Sequence, residues 1–365
     1  MKVVVLGGGY AGLACLARLA RALPDAERHL VDPQPWHLRR TLLHETLRRP
    51  LGELRSDFAA IARRWEFRHH HARVDWSAER LIEWSRAGRL PVGRRELEFD
   101  ALVVTTGLPG VAGRASRSRT PPVPLEALAT GPGVNAWKRM AADPGRAWVV
   151  GAGASGLQCL FELAAARPSG APLGLIEAAD SILAAEPRRL RREVLRRLRG
   201  LDVDLRLGTF YTGFRRGRVH MRGADGESSA PAAGVLLCTG PTARRIDADA
   251  AGRVLHRRRP LPGIYAAGDC ARWHGVAYDA ATAQTAVRKG RHVAETVARV
   301  AAGRTPQDWD ARQLGFFLSL GPHDAVGWVF ARAALVNGLA AVAAREAVEA
   351  RWDLLLHGID SFAAF

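Results

Sequence analysis

The chain has 365 residues, 48% of them hydrophobic and 24% charged, which is ordinary globular composition and enough for two domains with cores of their own. Its net charge of +17 allows attraction to anionic lipid, nucleic acid or acidic partners, but the surplus is arginine scattered in short runs such as Arg188-Arg189-Leu190-Arg191-Arg192 through an alanine-rich chain. Cys15, Cys159, Cys238 and Cys270 form no C-x-x-C pair, which argues against a dithiol redox motif or a zinc site, and no apolar run of ~18 residues predicts a membrane-spanning helix.

The first element opens at the second residue. Val3-Val4-Val5-Leu6 is a β-branched run that feeds Gly7-Gly8-Gly9-Tyr10-Ala11-Gly12 and then a helix-like stretch. In this G-x-G-x-x-G arrangement the first glycine permits a tight turn and the second lets the backbone approach a diphosphate. The third lets helix and strand pack closely, and the helix N-terminus then faces the phosphates. His29-Leu30-Val31-Asp32 places an acid about 20 residues further on, where a ribose hydroxyl needs an acceptor. Residues 1–22 therefore read as part of the fold rather than a secretory signal, and the cysteines suit a reducing, cytoplasmic setting.

Trp36 to Glu45 is expected to cover this first dinucleotide, and residues 52–64 look helical. Phe67 to Val92 reads as strand-like pieces with turns, and Val74 within it is taken as a cofactor contact. His69-His70-His71 reads as a polar edge strand rather than a metal site, because successive strand residues face opposite ways. No metal site is expected. Phe99 to Gly107 is a predicted buried strand ending in Thr105-Thr106-Gly107, and the Gly, Ser, Arg and Pro-rich Pro109 to Pro124 reads as a domain boundary.

The whole pattern then repeats. Trp148-Val149-Val150 feeds Gly151-Ala152-Gly153-Ala154-Ser155-Gly156, and Leu173-Gly174-Leu175-Ile176 ends in Glu177. Gly234 to Pro241 repeats the apolar run into Thr239-Gly240, and Pro262 to Ala271 is a further strand ending in Gly268-Asp269. Residues 281–300 are a predicted helix. Residues 307–365 form a tail, strand-like and then helical, with Val348, Trp352 and Leu355 on one apolar stripe. Two fingerprints with two acids point to two dinucleotides and to electrons passing between them. The expected fold class is α/β: two Rossmann-like dinucleotide-binding domains plus a small C-terminal α+β region. The expected boundaries are 1–110 and 234–303 for the first domain, 111–233 for the second and 304–365 for the C-terminal region.

These motifs, taken in order with Ala266-Ala267-Gly268-Asp269-Cys270-Ala271 and Thr282-Ala283-Gln284-Thr285-Ala286, resemble the FAD-dependent pyridine nucleotide-disulfide oxidoreductase superfamily. Within it the chain is most similar to type II NADH dehydrogenases. The resemblance implies that Gly7, Gly9, Tyr10, Ala11, Gly12, Asp32, Val74, Thr106, Gly107, Gly268 and Asp269 hold FAD. It implies that Gly151, Gly153, Gly156, Glu177 and Gly240 hold the nicotinamide cofactor. Glu177 would bond a 2′-hydroxyl and repel a 2′-phosphate, favouring NADH, while the nearby Arg188 and Arg189 leave NADPH open. The implied reaction takes hydride from NADH and passes electrons to a small-molecule acceptor, quinone-like by resemblance. The helix after Ala281 would aim its N–H groups at the flavin pyrimidine edge.

The chain departs from that pattern in three places. The family's A-Q-x-A-x-Q motif keeps Gln284 but has Arg288 as its last residue, suited to an anionic acceptor. Gln158 stands where a glutamate is usual, leaving Glu162 one turn later to orient nicotinamide. The membrane-anchoring tail is short and interrupted, so its helix reads as a homodimer or core helix in preference to one lying on an anionic membrane surface at the inner face. Glu162, Gln284, Arg288 and His274 are the catalytic candidates, with Trp36, His44, Trp273 and Tyr278 as further acceptor-pocket candidates. A flavin-dependent tailoring enzyme and a sulfide:quinone-type oxidoreductase are the other enzyme readings, although no cysteine follows Cys270. A redox-sensing nucleic-acid binder is disfavoured, because no nucleic-acid module is present.

Overall fold

The computed structural model describes residues 1–108, 122–240, 244–310 and 312–364. Most of the expected linker from Pro109 to Pro124, residues 109–121, lies outside them. Val3, Val4 and Val5 are all 0% exposed, so the first strand, Lys2–Leu6, runs through the middle of a sheet. It pairs in parallel with Glu27–Asp32 on one side and Ala101–Val104 on the other. Continuous apolar runs of this kind suit a parallel sheet covered on both faces. Beyond Glu27–Asp32 lies Arg68–His71, whose His69-His70-His71 run makes the edge. Beyond Ala101–Val104 lie Arg259–Ala266, Arg253–His256, Ile246–Ala248 and Ala271–Trp273, which complete eight strands. The first domain is thus discontinuous: residues 246–273 return to it after the second domain.

The second sheet repeats the plan with five parallel strands in the order Val203–Arg206, Leu173–Ile176, Ala147–Val150, Gly234–Leu237, Val123–Pro124. Each sheet places its glycine turn after a central strand, at a point where the chain leaves first to one neighbour and later to the other. Such switch points are where α/β sheets bind dinucleotides. The third unit is a sheet of Gly315–Ser319, Ala325–Val329 and Leu335–Asn337 followed by the helix Gly338–Leu356.

Three local expectations change. The predicted helix at 52–64 narrows to Phe58–Trp65, because Arg55–Asp57 is drawn into strand pairing with Trp36–Leu38. Phe67 to Val92 contains a helix, Ala78–Ala87, which Ser77 caps by accepting from the Arg80 N–H at 3.2 Å and which Gly88 ends at φ +64°. In the last helix Trp352 and Leu355 are buried but Val348 is 51% exposed, so the apolar stripe stops short of it. No helix among the described residues is long and apolar enough to cross a membrane.

Candidate dinucleotide sites

The two glycine turns are built alike. The Gly7 N–H donates to the Val31 carbonyl at 2.8 Å, and the Gly151 N–H to the Ile176 carbonyl at 2.7 Å. Both glycines sit at positive φ, +109° and +101°, which a side chain would strain. A Cβ on Gly12 would lie 2.0 Å from the Gly7 carbonyl oxygen, and one on Gly156 would lie 1.8 Å from that of Gly151. The third glycine of each turn is therefore required by the approach of helix to strand.

The acids close the turns. Asp32 accepts from the Gly8 N–H at 2.7 Å and from the Gln34 N–H at 2.8 Å. Glu177 accepts from the Ala152 N–H at 2.5 Å and from the Ala179 N–H at 2.8 Å. Each carboxylate is oriented by two backbone donors and keeps lone pairs for a ligand hydroxyl. The middle glycines, Gly9 and Gly153, have nothing within 4 Å of where a Cβ would stand. They are the N-caps of the helices Tyr10–Ala22 and Ala154–Ala166, neither of which has a side-chain cap. Unpaired N–H groups at a positive dipole end suit a diphosphate.

Around the first turn, Gly268 approaches the helix start so closely that its Cβ would sit 3.0 Å from that of Ala11. This places Asp269 beside the turn. No described residue donates a hydrogen bond to the Asp269 carboxylate; burial pushes its pKa up, while Arg245, Lys289 and Arg40 pull it down. A half-buried acid with no donor among the described residues fits a ligand hydroxyl. Thr106 accepts from the Trp76 indole N–H at 3.0 Å, Gly107 turns at φ +68°, and Val74 packs partly buried against the first core. The Tyr10 ring packs against His37 and Trp352, with centroids 5.1 and 4.7 Å away.

Beside the second turn is a cleft of about 140 Å³, lined by Pro124, Glu126, Ser155, Cys238, Thr239 and Gly240. Gly240 thus stands near the start of the helix that carries Gly156.

The four catalytic candidates do not form one cluster. Glu162, 2% exposed, pairs with Arg48 at 3.3 Å across the two domains, and burial pushes its carboxyl pKa up against the pull of Arg48. Arg48 also meets the buried Glu45, which binds Arg345 of the last helix at 2.8 Å. His44 lies beside this cluster, 3.8 Å from Glu45. Gln284 accepts from the Leu314 N–H at 3.4 Å, and Arg288 donates to the carbonyls of Asp310 and Arg312. Both side chains hold the segment that leads into the C-terminal sheet. His274 is paired with Asp247 at 2.8 Å, with both side chains about half exposed. Trp273 is 3% exposed and packs in the core, and the Trp36 ring lies 4.3 Å from the Arg55 guanidinium. Tyr278 lies near the Thr285 side chain at the start of the Ala283–Ala301 helix, and burial pushes its pKa up.

Sequence reasoning missed Arg40, Arg48, Arg245, Asp279 and Lys289. Arg48 and Glu45 do have i,i+3 spacing, but the Arg48–Glu162, Arg245–Asp279 and Lys289–Asp279 pairs, and the influence of Arg40 on Asp269, come only through tertiary folding.

Residues 1–290 match the pyridine nucleotide-disulphide oxidoreductase family. A type II NADH:quinone oxidoreductase from Staphylococcus saprophyticus is 23% identical, with 98% of this chain and 96% of the relative aligned. One from Staphylococcus aureus is 22% identical over the same shares. Among solved structures, the sulfide:quinone oxidoreductase of Aquifex aeolicus superposes with a TM-score of 0.81 at 14% identity, covering 99% of this chain and 93% of that one. NDH2 from Plasmodium falciparum in complex with NADH gives 0.71 at 10% identity, covering 95% and 94%. The structural likenesses reach the same fold that the two acid-closed turns describe, and the match over residues 1–290 sets the lineage: the chain belongs to the pyridine nucleotide-disulphide oxidoreductase family.

Proposed function

We propose that this protein is an FAD-dependent NADH oxidoreductase that delivers electrons to a quinone. The observation that carries the reading is the pair of matched turns, each closed by its own acid and each opening onto an uncapped helix. FAD accepts hydride from NADH when both are bound and passes the electrons on. The protein binds, orients and sets the field.

Asp32 takes the FAD ribose, and Asp269 takes a hydroxyl nearer the flavin ring. Glu177 takes the NADH ribose and repels a 2′-phosphate. The Ala283–Ala301 helix, capped by the Thr282 hydroxyl accepting from the Thr285 N–H at 3.2 Å, leaves its remaining N-terminal donors for the flavin. Glu162 orients nicotinamide from the helix behind the second turn, with Arg48 holding it in place. The acceptor approaches on the side of His274 and Tyr278. Residues 1–110 and 234–303 form the FAD unit, 111–233 the NADH unit and 304–365 the C-terminal unit.

Sulfide chemistry of the Aquifex type is not favoured. Cys270 is 0% exposed, its thiol donates to the Ala267 carbonyl at 3.3 Å, and no cysteine follows it. The C-terminal unit exposes Phe330 at 85% and Leu339 at 77%, an apolar surface that suits peripheral attachment at the inner face of a membrane or a second copy. Flotation with anionic vesicles and sedimentation of the free protein separate those two.

The central test is anaerobic. NADH should bleach the flavin absorbance, and a soluble quinone should restore it. Bleaching without reoxidation removes quinone from the reading. A flavin that neither NADH nor NADPH bleaches removes the nicotinamide assignment.

A further inference from the structure

Lys289 is 0% exposed, inside the Ala283–Ala301 helix. An ammonium buried this far is costly unless its hydrogen bonds are met. Its Nζ donates to the Ala271 carbonyl at 3.1 Å and to the Asp279 carboxylate, and lies 5.0 Å from the centre of the Trp273 ring. Asp279 also accepts from the Trp273 N–H at 2.9 Å and from Arg245 at 3.3 Å. Arg245 donates in turn to the Asp269 carbonyl at 3.0 Å and the Ala271 carbonyl at 2.5 Å.

Every arm of this cluster returns to residues 269–279, the segment that begins at the Gly-Asp motif. Within the buried trio the charges do not cancel, and the Asp269 carboxylate, on which Arg245 and Lys289 also act, lies outside it. Two cations, Lys289 and Arg245, share one carboxylate, Asp279. The surplus sits behind Asp269 in a medium where fields are weakly screened. Packing alone does not call for this arrangement, since a buried ion cluster is often no more stabilising than apolar residues of the same volume.

We propose that Lys289 is a positioning residue for the flavin: with Asp279 and Arg245 it fixes the Gly268–Asp269 turn and adds a buried positive field that favours the negative charge brought by reduction. The inference rests on the assignment of that turn to FAD. The Lys289 ammonium touches neither cofactor nor acceptor. It acts through the backbone of residues 269–271 and through its charge.

The test is the flavin midpoint potential of the holoenzyme, measured by dye-coupled reduction, in Lys289→Met, Arg245→Gln and Asp279→Asn. Lys289→Met and Arg245→Gln each remove a cation and should shift the potential negative. Asp279→Asn removes the anion and should shift it positive. Lys289→Met should also bind FAD about tenfold more weakly, corresponding to ~1.4 kcal/mol. A role in packing alone would leave the potential unmoved or shift all three the same way, and either result overturns the proposal. If Lys289→Met does not fold, the opposite signs of Arg245→Gln and Asp279→Asn still decide. Asp269→Asn is the control for the assignment: unchanged FAD affinity there would show that the turn is not the flavin site.

Discussion

Trp352 of the last helix reaches the first glycine turn through a single imidazole. Its indole N–H donates to His37 Nε2 at 3.1 Å, and His37 Nδ1 donates to the Gly8 carbonyl at 3.0 Å. The C-terminal unit is thereby bonded to the loop that would hold the FAD diphosphate. Trp352→Phe keeps most of the apolar contact but leaves the buried Nε2 without a donor, which costs ~1–3 kcal/mol. The expected result is a Tm lower by several degrees, with flavin released at a correspondingly lower temperature in a fluorescence-monitored melt. Unchanged flavin release would mean that this bond does not couple the tail to the turn.

The histidines near this contact set a pH dependence. Burial pushes the pKa of both His37 and His44 down to about 4. In the unfolded chain both take up protons near 6.5, so between about 4 and 6.5 the unfolded state binds more protons. Stability should therefore fall as pH drops through this window, by on the order of 3 kcal/mol per histidine once it is crossed. Glu162 and Glu349, whose pKa values burial raises, work in the opposite sense. The decisive comparison is the difference between the parent and His44→Gln in urea melts at pH 7.5 and 5. The variant should lose less stability on acidification, and equal losses would remove His44 from the account.

What the sequence made legible was local. A glycine turn, its preceding strand and its acid lie within one strand–helix–strand unit, so Gly7 to Asp32 and Gly151 to Glu177 reveal themselves by spacing. The Ala78–Ala87 helix also had its signals, a serine cap and a closing glycine around Leu81 and Trp84, but they were outweighed by the strand-like residues on either side. The contacts that join the units were not legible. Arg48 and Glu162 are 114 residues apart, and Trp352 and His37 are 315 apart. Val348 shows the converse error, since a regular apolar spacing says which residues share a face but not where the neighbouring element ends.

The Arg48–Glu162 pair joins the FAD unit to the helix behind the second turn. Arg48→Met leaves Glu162 buried against Glu45 without its cation, and the Glu162 carboxyl should then hold its proton to higher pH. The expected phenotype is a roughly tenfold slower flavin bleaching by NADH in a stopped-flow trace, about 1.4 kcal/mol in barrier, with flavin content near that of the parent. Glu162→Gln mimics the protonated acid and should slow bleaching to a similar degree. A fast Glu162→Gln variant would reduce the pair to a domain fastener.

Glu177 carries two duties that one substitution separates from folding. Its carboxylate closes the second turn through Ala152 and Ala179, and under the proposed assignment its free lone pairs would take the NADH ribose. Glu177→Gln keeps the shape and one acceptor oxygen but turns an NH₂ toward one of the two backbone donors and removes the charge that repels a 2′-phosphate. Hydrogen bonds to a charged group contribute ~1.5–3 kcal/mol, so losing one should raise KM for NADH roughly tenfold to a hundredfold. NADPH suffers the same weakened turn but gains from the lost repulsion, so its KM should rise less and the preference between the two should narrow. Steady-state measurements with both nucleotides on parent and variant decide it. If KM rises for both by the same factor, Glu177 serves the turn alone, and the choice of NADH must come from elsewhere in the cleft.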